Sequence, residues 1–469
     1  MKIFKFRMTG KQYSLIREYL KYGNNSEGAV IGFCGIGRYC DETMDSIVTS
    51  LQNGFDFLED IENISDNGEK LHILAKKQKK NSIPIIIQKA RITEKGNSSY
   101  SEQVANKLLD ILSGCKQEEI RGVIAVINEE GRIQAQVIFM DGKSFQVNSV
   151  AVAGSNFNMW YADGYGDIED QQISELELRT AQTFGRKTSL MLSKLSVGVV
   201  GVSGTGSPLV EMLYRLGIGE LVLVDSDIIE IKNVGRIYNS TMQDAEEKRY
   251  KVDVIRDAVT RSRLNTSVTA LPYDLFDPKA VRRISQCDVV FGCMDSVDGR
   301  DLLNRICAFY SIPYWDLGVK LNADGNGGVD QVCCTVHYLQ PDGSSLLGRG
   351  VYTLERLKAE ALKRASPQEY QKQIREKYII GVNEERPAVI SVNTMTASMA
   401  VNDFLARLHP YRDDDNSEYE SVMLSLTQMR LISNPESEPC KILSKYVGRA
   451  DMKPLLDMPS LSEGRSMLA

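Results

Sequence analysis

The residues best suited to chemistry lie in one stretch, 196–238, and at a few positions downstream of it. Gly201, Gly204 and Gly206 follow an apolar run at 197–202 with the spacing GxxGxG, and Ser207 and Pro208 open an amphipathic stretch behind them. A second apolar run, 221–224, ends in Asp225. Strand, glycine turn, helix, strand and acid form a βαβ plan that sets phosphates against a helix N-terminus and a ribose on a carboxylate. The glycine spacing alone fits NAD, FAD or ATP. The residues that follow favour ATP. Asp227 stands in Asp-Ser-Asp, Asn233 and Arg236 in Asn-Val-Gly-Arg, and Arg249 and Lys251 in a basic cluster with Lys248. Asp295 stands in Cys-Met-Asp-Ser at the end of a later apolar run. Attack of a carboxylate on the α-phosphorus of ATP expels pyrophosphate and builds charge on phosphate oxygens, which calls for cations and Mg²⁺. Backbone N–H groups of the glycine turn, Arg236 as a bidentate donor and Lys251 as a point charge would meet that need. Asp295, at a strand end where open α/β sheets bind ligands, is placed to hold Mg²⁺, and Asp225 suits the ribose hydroxyls.

These residues need a frame that brings distant segments to one sheet edge. From 175 onward, apolar runs at 197–202, 221–224, 267–273, 288–293 and 313–319 alternate with helical patterns at 175–194, 207–216, 248–263 and 299–311. Such alternation predicts a doubly wound, mostly parallel α/β sheet. A long return at 340–387 carries polar helical patterns at 353–365 and 367–377, and 387–408 reads as a closing helix. The first 150 residues or so read as a smaller α/β unit. It has helical patterns at 11–22 and 104–112, strand patterns at 29–34 and 83–87, and a hairpin of 123–127 with 133–139. The expected domains are 1–152, a Gly-, Asn- and acid-rich linker at 153–174, the nucleotide domain at 175–410, and a partly irregular tail at 411–469.

Bulk properties exclude several classes. At 469 residues the prior is about three domains. A hydrophobic content of 42% with 25% charged residues is ordinary for a soluble globular chain. A net charge of −6 offers no general attraction to nucleic acid or to an anionic membrane. No apolar run reaches the roughly 18 residues of a membrane span, and residues 1–7 lack the pattern of a signal peptide. Nine cysteines without a secretion signal fit reduced thiols in a cytoplasm. The three histidines, His72, His337 and His409, are too far apart in sequence to suggest a zinc site.

Over about 175–408 the motifs together resemble the ThiF/MoeB and ubiquitin-activating-enzyme (HesA/MoeB/ThiF) family of adenylyltransferases. GVSGTGS corresponds to that family's GxGGxGS turn. Asp225, Asp227, Glu230, Asn233 and Arg236 match its DxDxVExSNLNRQ segment. Lys251 matches the second lysine of KPKAE, with Arg249 in place of the first, and Asp295 matches the magnesium-binding Asp of a strand-end TDN. Arg179, in LRTAQTFG, resembles an Arg upstream of the glycine strand that reaches the nucleotide, often from the partner subunit. The resemblance implies a Rossmann-like ThiF adenylation fold, ATP and Mg²⁺ as ligands, and a homodimer. Ser203 replaces a Gly, Gly235 an Asn and Ile237 a Gln, each a single-contact change. Ser345 and Gly348 stand where many relatives carry a CxxC zinc element, so no structural zinc is implied.

The N-terminal block resembles the JAB/MPN metal-dependent isopeptidase domain in order of elements. Glu27 matches that family's early Glu; with Ser101 aligned to its Ser, Ala90 and Ile92 stand at the two His positions and Val104 at the Asp. Ala and Ile cannot replace imidazoles on Zn²⁺. The resemblance implies a degenerate, metal-free relative; an unrelated α/β domain is the alternative. A JAB-like block fused to such an enzyme resembles bacterial ubiquitin-like conjugation systems, whose operons are implicated in anti-phage defence.

Activating enzymes for ubiquitin-like proteins usually pass the adenylate to a cysteine, which must be exposed and mobile. Cys287 and Cys293 flank an apolar strand pattern, Cys307 lies on the apolar side of a helical one, and Cys333 and Cys334 read as strand. Cys34, Cys40 and Cys115 belong to the N-terminal block. Cys440 remains, in a polar segment beside Lys441, as the candidate nucleophile. The expected function is ATP-dependent adenylation of the C-terminal glycine of a ubiquitin-like protein, transfer to Cys440 as a thioester, and hand-over to a conjugating enzyme. The alternatives are activation for sulfur transfer or tRNA modification, and a nucleotide-binding scaffold without turnover.

Overall fold

A computed structural model describes residues 3–22, 28–41, 44–58, 68–77, 82–92, 98–99, 102–113, 119–162, 175, 178–323, 328–376 and 389–461. The chain forms two compact units. One comprises Met1–Asp167, Ala308–Ser311 and Ile442–Ala469; the other comprises Ile168–Cys307 and Ile312–Lys441. Among the described residues no helix is long and apolar enough to cross a membrane.

The first unit is built on a ten-stranded mixed sheet. At its centre Ser82–Lys89 lies between Ala29–Asp41 and Ile120–Ile127, antiparallel to the first and parallel to the second. Side chains alternate across a strand, so one sheet feeds two cores. Ile83, Ile85 and Ile87 face the core that contains Ile16 and Leu20 of helix Gly10–Tyr22. Ile86 faces the other, with Leu71 and Leu74 of helix Gly68–Lys77 and Leu108 and Leu112 of helix Glu102–Ser113. The expected hairpin pairs Val123 with Val137 and Ile127 with Ile133. The expected linker starts too early. Phe157–Tyr161 pairs antiparallel with Ser149–Ala153 as an edge strand, with Phe157 and Met159 buried and Asn158 exposed between them. Period-2 alternation outweighs the Gly and Asn content there. Residues 163–174 of that linker, like Glu27, Ser101 and Cys115, lie outside the described residues, and Cys40 falls in strand Ala29–Asp41. Ala90 is buried behind Lys89, and Val104 is half-buried on its helix. Short 3-10 turns from Leu443 to Leu461 complete this unit, and Gly35 N–H donates to Gly448 O at 3.1 Å.

The second unit carries an eight-stranded sheet. Five strands are parallel, in the spatial order Ser267–Leu271, Glu220–Val224, Ser196–Val200, Val289–Gly292, Tyr314–Ala323. Val329–Leu339, Ser421–Ser425 and Arg430–Asn434 extend it antiparallel. The last two fall in the tail expected to be partly irregular. The expected helix at 175–194 is two, Leu178–Phe184 and Arg186–Lys194, broken at Gly185, whose φ is 82°. The core is aromatic on the far side of the sheet. Trp315 stacks near Phe291 and meets Phe404 edge-on, and its Nε1 donates to Asp403 Oδ2 at 2.7 Å. Chain order runs outward from Ser196–Val200 to Glu220–Val224 and Ser267–Leu271, then returns to Val289–Gly292 on the opposite side. That reversal makes a crevice at the carboxyl ends of Ser196–Val200 and Val289–Gly292, the usual ligand position of an open α/β sheet.

Candidate active site

The glycine turn sits at this crevice. Gly201 leaves its strand with φ 87°, and a Cβ there would lie 2.8 Å from Cys293 O, so both the backbone conformation and the neighbouring strand end exclude a side chain. Gly206 opens helix Gly206–Arg215 against the turn itself; a Cβ would stand 1.9 Å from Gly201 O. The N–H groups of Ser203, Gly204 and Thr205 have no partner among the described residues. They belong to the turn that leads into helix Gly206–Arg215, and Ser203, Gly204 and Thr205 all line the cavity.

That cavity has a volume of about 430 Å³, within the range of small-ligand sites. Gly201, Gly204, Asp225, Asp227, Arg236, Lys251 and Asp295, drawn from segments almost a hundred residues apart, all line it. Asp225 is fixed by two backbone donors. Val202 N–H reaches Oδ2 at 2.9 Å and Asp227 N–H reaches Oδ1 at 2.9 Å. Burial pushes its carboxyl above the usual value, against the opposing pull of the Lys251 charge and those two N–H groups. Each oxygen keeps a lone pair for a ligand hydroxyl. Lys251 is buried, and its Nζ donates to Asp227 Oδ2 at 2.7 Å. Short backbone bonds hold it there: Lys251 N–H donates to Asp227 O at 3.0 Å and Ile229 N–H to Arg249 O at 2.8 Å. Arg236 is half-buried and makes no ion pair among the described residues. Its charge is available to a ligand. Asp295 is exposed on the cavity wall, just beyond the end of Val289–Gly292.

Other expected residues stand elsewhere. Asn233 is buried and shapes the turn behind Arg236: its Oδ1 accepts Glu230 N–H at 3.1 Å, and its carbonyl accepts Arg236 N–H at 2.9 Å. Gly206 shapes the glycine turn without lining the cavity. Arg249 turns away from the cavity toward Asp244, at 2.9 Å, and Asp257. Two carboxylates on flanking helices take its guanidinium, and Arg249 does not line the cavity. Arg179 is exposed on helix Leu178–Phe184, outside the cavity. Cys440 is also outside. It is half-buried, and its N–H donates to Gly343 O at 2.9 Å. The thiol that does line the cavity is Cys293, and burial with Asp316 nearby pushes it up, away from the reactive thiolate.

Sequence reasoning missed part of the wall. The loop Tyr273, Asp274, Leu275 and Phe276 borders the cavity beside Asp225. The cue was Asp277-Pro278, an N-cap followed by a first-turn proline, which marks a tight turn after a strand. Arg364 comes from helix Leu354–Ala365, donates to Asp298 and Asp274 at 2.8 Å each, and lies 3.9 Å from the Phe276 ring centroid. Nothing in the local sequence ties it to a site some 130 residues upstream. Arg300 and Asn393 also line the cavity.

A model of the ThiF family matches residues 177–439. Over 132 residues the chain is 35% identical to the adenylyltransferase and sulfurtransferase MOCS3 of Danio rerio, covering 28% of each chain. Over 137 residues it is 30% identical to ubiquitin-like modifier-activating enzyme 5 of Aedes aegypti, covering 27% of this chain and 34% of that one. The chain thus spans about a third or less of the length of these curated relatives. A crystal structure of E. coli MccB with ATP aligns with a TM-score of 0.44 and 16% identity, over 60% of this chain and 75% of that one. The family match covers more than half of the residues and includes the whole parallel sheet with its glycine turn, so this chain belongs to the ThiF family.

Proposed function

We propose that this chain is an ATP-dependent activating enzyme that adenylates the C-terminal glycine carboxylate of a ubiquitin-like protein. One observation carries the reading. Asp225, Arg236, Lys251 and Asp295 converge with the unpaired N–H groups of the glycine turn on a single cavity. Membership of the ThiF family and similarity to relatives named as adenylyltransferases and modifier-activating enzymes support it. In this reading Asp225 binds the ribose hydroxyls and the Tyr273-to-Phe276 loop flanks the base. Ser203, Gly204 and Thr205 N–H groups, Arg236 and Lys251 take the phosphates. A carboxylate oxygen of the substrate attacks the α-phosphorus, the bond from that phosphorus to the bridging oxygen breaks, and pyrophosphate leaves with the electron pair. Asp295 offers the hard oxygen donor that Mg²⁺ prefers. Among the described residues no cluster of three ligating side chains surrounds it, so phosphate oxygens and water would complete the shell. Bound there, Mg²⁺ would supply neutralising charge to the phosphates.

The acyl group then passes to Cys440, whose sulfur displaces AMP from the acyl carbon, and on to a conjugating enzyme. Because Cys440 lies outside the cavity, the acyl end must leave the cavity to meet it. Arg179, exposed away from its own cavity, would serve a partner's site in a homodimer. The N-terminal unit would be the degenerate JAB-like partner of a bacterial, cytoplasmic conjugation system, with anti-phage defence as its setting. Similarity to a sulfurtransferase favours a second reading, activation for sulfur transfer, in which no conjugating enzyme takes part. To separate them, the chain is charged with ATP and a Gly-ending ubiquitin-like protein and run on a non-reducing gel. A thiol-sensitive adduct that disappears in Cys440→Ala is expected; an adduct that survives Cys440→Ala removes Cys440 from the pathway.

A further inference from the structure

Part of the cavity wall, beyond Asp295, holds side chains that the proposed nucleotide contacts do not use. Asp225 and the Tyr273-to-Phe276 loop lie at the ends of Glu220–Val224 and Ser267–Leu271, on one side of the crevice. On the other side, past Asp295 at the end of Val289–Gly292, the wall continues with Arg300 and, from within Tyr314–Ala323, Leu317 and Gly318. Arg300 belongs to the first turn of helix Val297–Tyr310, and only 14% of its side chain is exposed. Its Nε donates to Asp316 Oδ1 at 2.8 Å, and its Nη2 donates to Asp316 Oδ2. Asp316 is fully buried, and Tyr314 Oη donates to its Oδ1 at 2.7 Å. Burial disfavours the Asp316 carboxylate, but the Arg300 charge overrides this and holds the carboxyl below its usual value. The pair is therefore ionised and rigid. A guanidinium has five N–H donors and Asp316 takes two. Nη1 has no partner among the described residues. A Cβ added at Gly318 would still lie 4.0 Å from Nη2, so there is room beside the guanidinium.

We propose that Arg300 seats the acyl group that attacks the α-phosphorus, and that Asp316, with Tyr314, is the positioning residue that aims it. This rests on the adenylation reading and assigns the acyl half of that site. Place is the first argument. A nucleotide held by the glycine turn, Asp225 and the Tyr273-to-Phe276 loop runs to one side of the crevice and leaves the Arg300 side for the attacking group. Charge is the second. The carboxylate loses negative charge as its oxygen bonds to phosphorus, so a bare cation would stabilise the ground state more than the transition state. Paired with Asp316, Arg300 orients the carboxylate through fixed donors with little net charge.

The test uses the full chain and two probes, AMP and glycylsulfamoyl adenosine, a stable mimic of a glycyl adenylate. Arg300→Gln and Asp316→Asn are expected to weaken the mimic about 10- to 100-fold, the range of a lost charge-assisted contact, and AMP by less than about twofold. Tyr314→Phe should give a smaller loss in the same direction. Gly318→Val, which fills the space beside the guanidinium and leaves the ion pair intact, should weaken the mimic alone; it carries the test if the ion-pair variants do not fold. Equal weakening of both probes would assign Arg300 to the phosphate and overturn the proposal, as would unchanged binding of both. If the parent chain binds neither AMP nor the mimic, the adenylation reading itself fails.

Discussion

Replacing Lys251 by methionine separates phosphate binding from stability. Lys251 is 5% exposed, and its Nζ lies 2.7 Å from Asp227 Oδ2, whose side chain is 67% exposed. Methionine fills the same channel with an unbranched stem, and the Asp227 carboxylate left behind faces water. Asp225 loses the pull of the Lys251 charge but keeps its two backbone N–H donors, so the stability cost stays near that of a partly exposed pair, about 0–1 kcal/mol. For a domain of this size that lowers the melting temperature by no more than about 4 °C. The loss at the ligand is larger. A hydrogen bond from a buried ammonium to a phosphate is worth about 1.5–3 kcal/mol, or roughly 10- to 150-fold in Kd. Calorimetric titration should show ATP weakened by that factor, and adenosine, which has no phosphate to lose, unchanged within about twofold. If Lys251→Met binds ATP as the parent does, Lys251 has no part in holding phosphate. Equal loss of ATP and adenosine would mean that the variant disturbs the cavity as a whole.

Three further outcomes are expected. Gly206→Ala places a Cβ 1.9 Å from Gly201 O, so the helix must shift; denaturant titration should show a loss of about 1–3 kcal/mol together with weaker ATP binding, and wild-type values in both would contradict the turn geometry. Arg249→Met removes ion pairs with Asp244 and Asp257 outside the cavity; ATP affinity should stay within about twofold while stability falls by about 1 kcal/mol or less, and a tenfold loss of affinity would return Arg249 to the site. His337 is lowered to about 4 by burial, with Arg349 and Arg300 acting in the same direction and Asp316 and Glu420 against it. An unfolded histidine takes its proton near pH 6.5, so the unfolded chain binds it first and stability falls as pH drops from about 6.5 toward 4, by up to ~3 kcal/mol. The urea midpoint of the parent should fall more steeply between about pH 6.5 and 4.5 than that of His337→Gln, and equal pH slopes in the two would rule this out.

The glycine-turn side of the cavity was legible because its signals are local. The turn geometry requires Gly201 and Gly206, and Asp225 closes a strand whose apolar run is plain in the sequence. Lys251 and Asp295 were legible only through a motif order shared with a family, since nothing local distinguishes a buried lysine on a helix from a solvated one. Arg249, two residues before helix Lys251–Ser262, shows the difficulty. It shares a basic cluster with Lys251, but Asp244 and Asp257 on either side take its charge, and that pairing depends on tertiary packing. Arg364 and the Asp316–Arg300 pair escaped for the same reason, since their partners lie on other elements. In the tail, Ser421–Ser425 and Arg430–Asn434 are short, polar edge strands whose pairing with Val329–Leu339 overrides weak propensity. The hairpin at Phe157–Tyr161 was hidden by glycine and asparagine that flank alternating buried and exposed residues.

The task proposed for the cavity, attack at the α-phosphate of ATP, is tested most directly by isotope exchange between pyrophosphate and ATP in the presence of a Gly-ending ubiquitin-like protein. Label from pyrophosphate should enter ATP with the parent chain, and the exchange should vanish in Asp295→Ala and Lys251→Ala. Exchange that continues unchanged in both variants, or conversion of ATP to ADP and phosphate with no exchange, would contradict adenylation at this site.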